Sequence, residues 1–469
     1  MARRVRRDRL RDLSGWRLAA TERRGLRQEL VTVMRGLALS ALLLAACSSG
    51  PPAATASPAP SQAPSVAVSA APTLPSPPTE PTTAADGLPR SFTRVAFDAG
   101  THDGTVTTDK RLQLGPSPAK GGYVDPYGGT ISDERGTWTS AAVRTPFAFD
   151  RLVASWNATT PAGTWIDVLM RASGASRQTK WYTLAIWSSG DETIHRTTVK
   201  GQGDGDGRVN VDTFEAAPLA AELTSYELRL ILHRAAGVTA TPSVALLAAV
   251  TSRVALPSLP SAFGGTARDL DVPMLSQETH TGHYPEYDGG GEAWCSPTST
   301  AMVLGFWKSG PSATDLAAFP GASHGDGQVD HAARFTYDRS YEGAGNWPFN
   351  TAYTAQYGLE GFVTRLRSLT EAERFIAAGI PLIASINGVL PGFLFTSTNG
   401  HLLVIRGFDA NGDVITNDPA VRTNAQARKV YPRLEFETVW LLGSTGTVYV
   451  IHPLGVALPP NVPGLPANW

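Results

Sequence analysis

The stretch GEAWCSPTSTAMVLGFW, residues 291–307, holds one of only two cysteines in a chain of 469 residues. Pro297 is the residue favoured in the first turn of a helix, and the apolar run 301–307 continues the pattern. The sequence therefore places Cys295 at a helix N-terminus. There the dipole and free amides favour a thiolate, and beside an imidazolium a thiol pKa falls from about 8.5 to roughly 3.5–7.5. The same amides can help to bind an oxyanion.

A later stretch, NGHLLVIRGFDANGDVITNDPA (399–420), provides a base for this thiol. His401 opens an apolar strand, DANGD makes a hairpin turn, and the return strand ends in Asn417 and Asp418. A carboxylate beside the imidazole would orient it and stabilise its charged form. Hairpin counting puts Asp418 opposite residue 404 or 405, so twist or a bulge must close about 10–13 Å. Asn417 stays open as the alternative partner.

The other cysteine ends a different pattern. Residues 34–47 read MRGLALSALLLAAC, and this apolar run is shorter than the about 20 residues that a bilayer requires. It is typical of a signal peptide, and its end resembles the lipobox of bacterial lipoproteins. The resemblance implies that Cys47 is lipidated and anchors the mature chain to the outer face of the cell membrane. Ten arginines precede Met34, and the true start stays open between Met1 and Met34.

Composition excludes some functions and suggests a layout. Without residues 1–46, which hold eleven arginines and four acidic residues, the formal net charge moves from −1 to −8. Such a chain lacks the basic surface that nucleic acid requires. Residues 48–86 are almost entirely Ala, Pro, Ser and Thr, which favours an extended, disordered stalk through the cell wall. The abundant Arg, Pro and Ala fit a high-GC Gram-positive source.

The remaining residues suffice for two domains, and the proline-rich passage ALPSLPSAFGGTA (255–267) marks their boundary. The first domain has short aromatic and β-branched runs, which predict an all-β sandwich or jelly roll. Its tryptophans are expected in the core rather than on a glycan platform, although a glycan ligand stays an open alternative. The loop 201–209 (GQGDGDGRV) is expected to be a turn and not a calcium loop. The predicted strands are 152–156, 165–170, 181–187 and 226–233.

The second domain combines helix and strand signals, which predicts an α+β fold. Ser368 and Glu371 form a capping-box pattern for a helix over 370–378, with Gly379 as its end. The predicted strands are 382–386, 401–408, 414–417 and 447–451. The expected layout is a signal peptide (1–46), a lipidated stalk (47–87), a β-sandwich domain (88–254), a linker (255–269), an α+β domain (270–453) and a proline-rich tail (454–469).

Four blocks carry a family resemblance: DVPMLSQ, WCSPTSTAMVLGFW, GHLLVIRGF and VITNDPA, in this order. They resemble the family 39-like cysteine peptidases, which are related to bacteriocin-processing, double-glycine-cleaving enzymes. Over about residues 270–453 the resemblance implies a papain-like fold. It also implies that Cys295 attacks, His401 is the base, Asp418 orients it and Gln277 helps to bind the oxyanion. Ser296 departs from the family, which usually has glycine after the nucleophile.

An insert of 17 residues (278–294) separates Gln277 from Cys295 and is longer than in the processing enzymes. It contains His280, His283, Asp288 and Glu292. A single HxxH without helical register is a weak zinc signal, so we predict neither a metal nor another cofactor. The glycine-rich insert is expected to border the substrate cleft.

Together these features predict an exported, membrane-anchored thiol hydrolase that cleaves peptide or amide bonds of an extracellular or cell-wall substrate. A transporter-linked processing enzyme would have a GxxxxGK[ST] motif and apolar runs of at least 18 residues, and this sequence has neither. Two alternatives stay open. Transglutaminase-like acyl transfer uses Cys, His and Asp in the same order, and a binding lipoprotein would carry an inactive peptidase-like domain.

Overall fold

The computed structural model describes residues 87–218, 222–319, 325–393, 398 and 400–469. The predicted signal peptide, Cys47 and almost all of the predicted stalk lie outside these residues. The described residues belong to one compact unit, Thr79–Trp469. None of the helices in this described part has the length and apolar character needed to cross a membrane.

The N-terminal domain consists of two antiparallel sheets, and its described residues form no helix. One sheet has the order β11-β12-β8-β14-β4-β3, with β1 also paired to β14. The other has the order β10-β9-β13-β6-β2, with β5 on β6 and β7 on β13. These sheets confirm the predicted β-sandwich-like fold. The strands are β1 Arg90–Arg94, β2 Gly100–Asp103, β3 Thr105–Thr108, β4 Arg111–Leu114, β5 Ala119–Val124, β6 Thr130–Ser140, β7 Val143–Phe149, β8 Arg151–Thr159, β9 Thr164–Gly174, β10 Tyr182–Trp187, β11 Gly207–Asn210, β12 Thr213–Ala216, β13 Leu223–Ala235 and β14 Ser243–Ser252.

The tryptophans of this domain serve mainly as core residues. Trp138, Trp156 and Trp165 are at most 1% exposed, so their faces are not available for stacking on a sugar. Trp181 is only partly buried, and the guanidinium of Arg229 lies 4.0 Å from its ring centroid. The aromatic residues therefore contribute packing rather than a flat binding platform.

The loop 201–209 is a turn. Asp204 Oδ1 accepts hydrogen bonds from the backbone amides of Asp206 and Gly207, as in an Asx-type turn. The same oxygen accepts the Tyr182 hydroxyl at 2.5 Å, and Glu215 pairs with Arg208. These carboxylates therefore have partners within the domain and do not converge on a cation.

The described part of the C-terminal domain combines six α-helices with an antiparallel sheet of order β16-β21-β17-β18-β19-β20, with β15 on β18. Strands β17, β18 and β19 coincide with the predicted ranges, and β21 continues two residues further than predicted. Helix α1 packs against β18 and against α3 and α4. The elements are β15 Arg268–Asp269, α1 Cys295–Phe306, α2 Ala313–Ala318, α3 Gly327–Thr336, α4 Trp347–Thr354, β16 Leu359–Arg365, α5 Leu369–Ala377, β17 Leu382–Ile386, β18 His401–Phe408, β19 Val414–Asn417, β20 Arg428–Tyr431, α6 Arg433–Ser444 and β21 Thr447–Pro453.

The predicted capping box is only half formed. Ser368 accepts a hydrogen bond from the Glu371 amide, as predicted, and α5 begins one residue early at Leu369. The Glu371 carboxylate does not return to the Ser368 amide. It accepts the backbone N–H and the guanidinium of Arg367, both at 2.8 Å, because a buried guanidinium requires a carboxylate partner.

The two domains share a buried interface. Strand β16 contacts β8, where Asn157 Nδ2 donates to the Gly361 carbonyl at 2.8 Å and the Val363 amide donates to Ser155 Oγ at 2.8 Å. The buried Arg367 donates to the carbonyls of Leu88 and Arg90 in the N-terminal domain. Buried polar groups require hydrogen-bond partners, and here the opposite domain supplies them. The sandwich and the C-terminal domain therefore share a buried, partly polar interface.

The C-terminal segment completes this interface. Asn468 is fully buried and donates to the Arg365 carbonyl at 2.9 Å, while the Phe92 amide donates to the Ala467 carbonyl at 2.8 Å. Trp469 is 7% exposed and packs against Phe375. The proline-rich segment predicted as a tail is therefore anchored between the two domains.

Candidate active site

Helix α1 places the thiol at its first residue. Cys295 is partly buried, and among the described residues it is the free cysteine. Its amide and that of Ser296 lie in the first turn, where the helix itself supplies no acceptor, and Pro297 has no N–H to lose. The Ser296 side chain is fully buried and its hydroxyl lies 2.9 Å from the Tyr449 hydroxyl. The serine therefore packs beneath the helix.

The structure brings His401 and Asp418 together. His401 is the first residue of β18, Asp418 follows the last residue of β19, and Nε2 of His401 lies 2.8 Å from Asp418 Oδ1. A bulge lies between Ile405 and Gly407, so that Val404 pairs with Asn417. Without it, Val404 would face Asp418. The bulge thus moves Asp418 one residue nearer to His401, in the direction that hairpin counting required.

Asn417, the alternative partner, has another role. Its Oδ1 accepts Arg406 Nη1 at 3.1 Å, and its Nδ2 donates to the carbonyls of Val272 and Pro273 at 3.0 and 2.9 Å. All of its hydrogen-bonding groups are used to hold the segment that leads to Gln277. The structure thus places the carboxylate, and not this amide, beside the imidazole.

The carboxylate is itself held in place. Its Oδ2 accepts the Tyr431 hydroxyl at 2.7 Å, and its Oδ1 accepts the Ala420 amide at 3.0 Å. Burial raises the pKa of Asp418, but the charge and hydrogen bond of His401 and the bond from Tyr431 bring it below its ordinary value. Asp418 therefore remains charged at neutral pH.

The imidazole links the carboxylate to the thiol. His401 is 2% exposed, and burial makes the largest contribution and lowers its pKa. The charge and hydrogen bond of Asp418, followed by the hydrogen bond and charge of Cys295, outweigh burial and raise the pKa from 6.5 to about 10. Because Nε2 is bonded to Asp418, Nδ1 is the ring nitrogen left for the thiol. An imidazolium at neutral pH is the form that stabilises a neighbouring thiolate.

Gln277 lies in the same neighbourhood, but its side chain is engaged. Its backbone amide donates to the Pro419 carbonyl at 2.9 Å, next to Asp418. Its side-chain Nε2 donates to the Glu292 carbonyl at 2.6 Å and to Glu278 Oε1 at 3.2 Å. Both amide hydrogens therefore have acceptors. To bind an oxyanion, Gln277 would have to break one of these two hydrogen bonds, most easily the longer one to Glu278.

Three further side chains at this site were not predicted from the sequence. Glu278 is half-buried, and burial raises its pKa, while its hydrogen bond to Gln277 and the charge of His401 act in the opposite direction. Tyr431 and Tyr449 support Asp418 and Ser296 from strands β20 and β21. Tyrosines on strands carry no local signal for such roles, because only the sheet order shows what their hydroxyls reach.

The insert brings two of its histidines to a third residue that the sequence analysis did not connect with them. His280 and His283 both contact Asp330 in α3, about 50 residues along the chain. Of the residues the structure describes, these three form the single group with metal-ligand spacing. Asp288 and Glu292 do not belong to it.

The fold and the site together define a two-domain protein with a cysteine, histidine and aspartate cluster in its α+β domain, and two family models match it. The model described as "Peptidase C39 N-terminal domain" matches residues 89–252. The model described as "Peptidase_C39 like family" matches residues 269–447. This chain therefore carries a peptidase C39-like domain, which suggests a cysteine peptidase-like function.

Solved structures and curated proteins add nothing to this assignment. A chain of infectious bursal disease virus Gt strain is 13% identical, with TM-score 0.19, over 39% of this chain and 38% of that chain. A Stig cyclase, Fisc, from Fischerella sp. TAU is 12% identical, with TM-score 0.18, over 35% of this chain and 90% of that chain. TM-scores this low establish neither a shared fold nor a shared ligand. No curated protein matches.

Proposed function

We propose that this protein is a thiol hydrolase that cleaves peptide or amide bonds through Cys295, His401 and Asp418. The observation that carries the proposal is the position of the His401 ring, which hydrogen bonds to the Asp418 carboxylate and has a pKa that Asp418 and the Cys295 thiol together raise. A nucleophile, a base and a group that orients the base are the three elements that such chemistry needs. A papain-like arrangement, with the nucleophile on a helix packed against a sheet that carries the base, agrees with this proposal.

The mechanism follows from these positions. The Cys295 thiolate attacks the substrate carbonyl, and the first-turn amides of α1 lie where they can donate to the developing oxyanion. Gln277 joins them when its contact with Glu278 is exchanged. The His401 imidazolium then protonates the leaving amine, becomes neutral, and activates the water that releases the acyl group. Asp418 keeps the ring in one orientation during both steps.

The proposal includes a location and a substrate class. The lipobox-like sequence at Cys47 would attach the chain to the outer face of the membrane, and a proline-rich stalk would carry the two-domain body into the cell wall. The substrate is then an exported or cell-wall peptide. A glycan ligand of the N-terminal domain would have to bind outside its buried tryptophans.

Alkylation of the full-length protein tests the chemistry. We expect iodoacetamide to modify Cys295 at a rate that persists well below pH 8.5 in the wild type, because an imidazolium neighbour favours the thiolate. The rate at low pH should fall strongly in His401→Gln. His233→Gln, which changes another buried histidine, is the matched control. A single titration near about pH 8.5 in all three proteins would overturn the proposal.

Peptide turnover separates the alternatives. We expect hydrolysis of a peptide mixture by the wild type and a loss on the order of 10⁴-fold or more in Cys295→Ser. Products that incorporate an added amine in preference to water would instead indicate acyl transfer. An activated thiol with no turnover of any peptide or amine would favour a binding role.

A further inference from the structure

The insert between Gln277 and Cys295 contains a cluster of ionisable side chains that the proposed hydrolysis does not use. Nδ1 of His280 and Nδ1 of His283 lie 3.1 and 3.0 Å from the same oxygen, Asp330 Oδ1. One ligand atom from each residue lies within 4.8 Å of the other two. Ligand atoms bound about 2.0–2.1 Å from one tetrahedral ion are roughly 3.3 Å apart. The spacing thus suits three ligands of a common ion.

The burial of this cluster also indicates a ligand. His280 is 1% exposed and so is Asp330. Two imidazole Nδ1 atoms thus share one buried carboxylate oxygen. Buried ionisable groups are stable only when they are paired or coordinate a metal, and an ion between these three atoms would satisfy all of them together.

Several residues around the cluster have backbone conformations that cost free energy to order. Gly282, Gly289 and Gly290 have φ of 82°, 77° and 107°, and Tyr284 and Asp288 also have positive φ. Glycines lose the most conformational freedom on ordering, and side-chain-bearing residues with positive φ are strained. A cross-link between the insert and a helix would offset this cost, as metals do in small loop-rich folds.

We propose that His280, His283 and Asp330 bind one divalent transition-metal ion, with zinc the best fit, and that this ion fastens the insert 278–294 to helix α3. Two imidazoles and one carboxylate are ligands that zinc accepts, and one position remains for water. Gly291, near the end of the insert, lies against the backbone carbonyls of Gln277 and His280 at its start. An ion bound to His280 would therefore hold both ends of the insert. Gly291 also begins the short turn that leads to Trp294 and Cys295. The ion thus positions the loop and takes no part in hydrolysis.

Metal binding by the full-length protein, purified without a histidine tag, tests the proposal without an activity assay. We expect about one zinc per chain after dialysis, and Co²⁺ loading should give visible ligand-field absorption. His283→Ala changes a partly exposed ligand, and Asp330→Asn is nearly isosteric. Each substitution should weaken metal binding by more than tenfold. Even changes to residues that only support the ligands reduce metal affinity by about 10- to 100-fold at such sites. His195→Ala is the matched control, since His195 pairs with a single aspartate, Asp125.

Thermal unfolding and proteolysis provide the second measurement. Zinc should raise the melting temperature of the wild type by mass action and protect residues 281–290 from proteolysis, and it should do neither in Asp330→Asn. Failure of the wild type to retain or bind the ion stoichiometrically would overturn the proposal. So would equal metal binding in the wild type and both ligand variants, or an equal loss in His195→Ala. These results are independent of whether Cys295 is active.

Discussion

Each domain contains a buried histidine hydrogen bonded to a buried aspartate, and the two pairs have almost the same N···O distance. In the sandwich, Nδ1 of His233 lies 2.7 Å from Asp133 Oδ2, and in the C-terminal domain Nε2 of His401 lies 2.8 Å from Asp418 Oδ1. Burial lowers the pKa of both histidines, but nearby carboxylates outweigh it and raise the pKa in each case. A charged buried pair is therefore common to both domains.

The difference lies at the other ring nitrogen. His233 Nε2 is 3.5 Å from a second carboxylate, Asp167, and the ring stacks on Trp165 with centroids 5.0 Å apart. The corresponding neighbour of His401 is Cys295, the first residue of α1, which contributes to the raised pKa of the ring. A buried His–Asp pair is thus no sign of catalysis by itself, since ion pairs also perturb pKa values in structural roles. The nucleophile on the opposite side of the ring marks the candidate site.

Replacing each aspartate by asparagine gives the largest expected contrast. Asp418→Asn removes the charge that raises the pKa of His401, and it replaces a group that only accepts hydrogen bonds by an amide that also donates, so the tautomer of the ring is no longer fixed. We expect peptide turnover to fall by about 10²–10⁴-fold, as it does when a triad aspartate is lost. Asp133→Asn should leave turnover per folded molecule within about twofold.

Active-site titration with a thiol reagent normalises both variants for folded protein. Equal losses of turnover in the two variants would remove the distinction between the pairs. The pH profile provides a further check, because Asp418→Asn should lower the pKa of His401 and shift thiol alkylation toward higher pH, whereas Asp133→Asn should leave the profile of the wild type unchanged.

The pH dependence of stability gives an intermediate effect. The folded pKa of His401, about 10, exceeds its unfolded value of 6.5. Its stabilising contribution is therefore complete below pH 6.5 and is lost as the pH rises toward 10. We expect the wild type to lose more stability than His401→Gln across that window. The difference should exceed about 1.4 kcal/mol, which corresponds to one pKa unit.

Urea unfolding at several pH values measures this difference. His233→Gln should also lose less stability than the wild type, because the folded pKa of His233 is raised as well. A wild type whose stability rises between pH 6.5 and 10, relative to His401→Gln, would contradict the direction assigned to His401.

The secondary structure was predictable from the sequence in part, where aromatic, β-branched or apolar runs ended at clear turn residues. Strands β17, β18 and β19 have the predicted bounds. Counting required twist or a bulge in this hairpin, but the position of the bulge at Arg406 was not predictable. Arg406 pairs there with Asp269 of β15, a residue far away in the sequence. Register within a sheet is a tertiary property.

The site residues were predictable from the sequence only where their immediate neighbours in the chain formed a distinctive pattern. Cys295 and His401 stand in distinctive local contexts, whereas the contact of His280 with Asp330 joins residues 50 positions apart and has no local signal. The same holds for the segment 454–469, which composition alone marks as a tail. Its last two residues are buried, and Asn468 pairs with the Arg365 carbonyl and the Arg367 guanidinium, which lie far away in the sequence.

The smallest expected effect concerns the side chain that donates a further hydrogen bond to each aspartate. Tyr431 donates its hydroxyl to Asp418 Oδ2 at 2.7 Å, and Arg135 occupies the corresponding place on Asp133, with Nη2 2.6 Å from Oδ1. Tyr431→Phe removes one hydrogen bond to a carboxylate that keeps two other partners, the His401 ring and the Ala420 amide. One bond to a charged group contributes roughly 1.5–3 kcal/mol to stability. Because the two remaining bonds hold most of the geometry of the carboxylate, only part of that free energy affects the reaction, and we expect a loss of turnover below about tenfold. Arg135→Gln should leave turnover unchanged, although it destabilises the sandwich. If Tyr431→Phe instead matched the loss in Asp418→Asn, the hydroxyl would be essential for orienting the carboxylate, and the bulge would not suffice to bring Asp418 to His401.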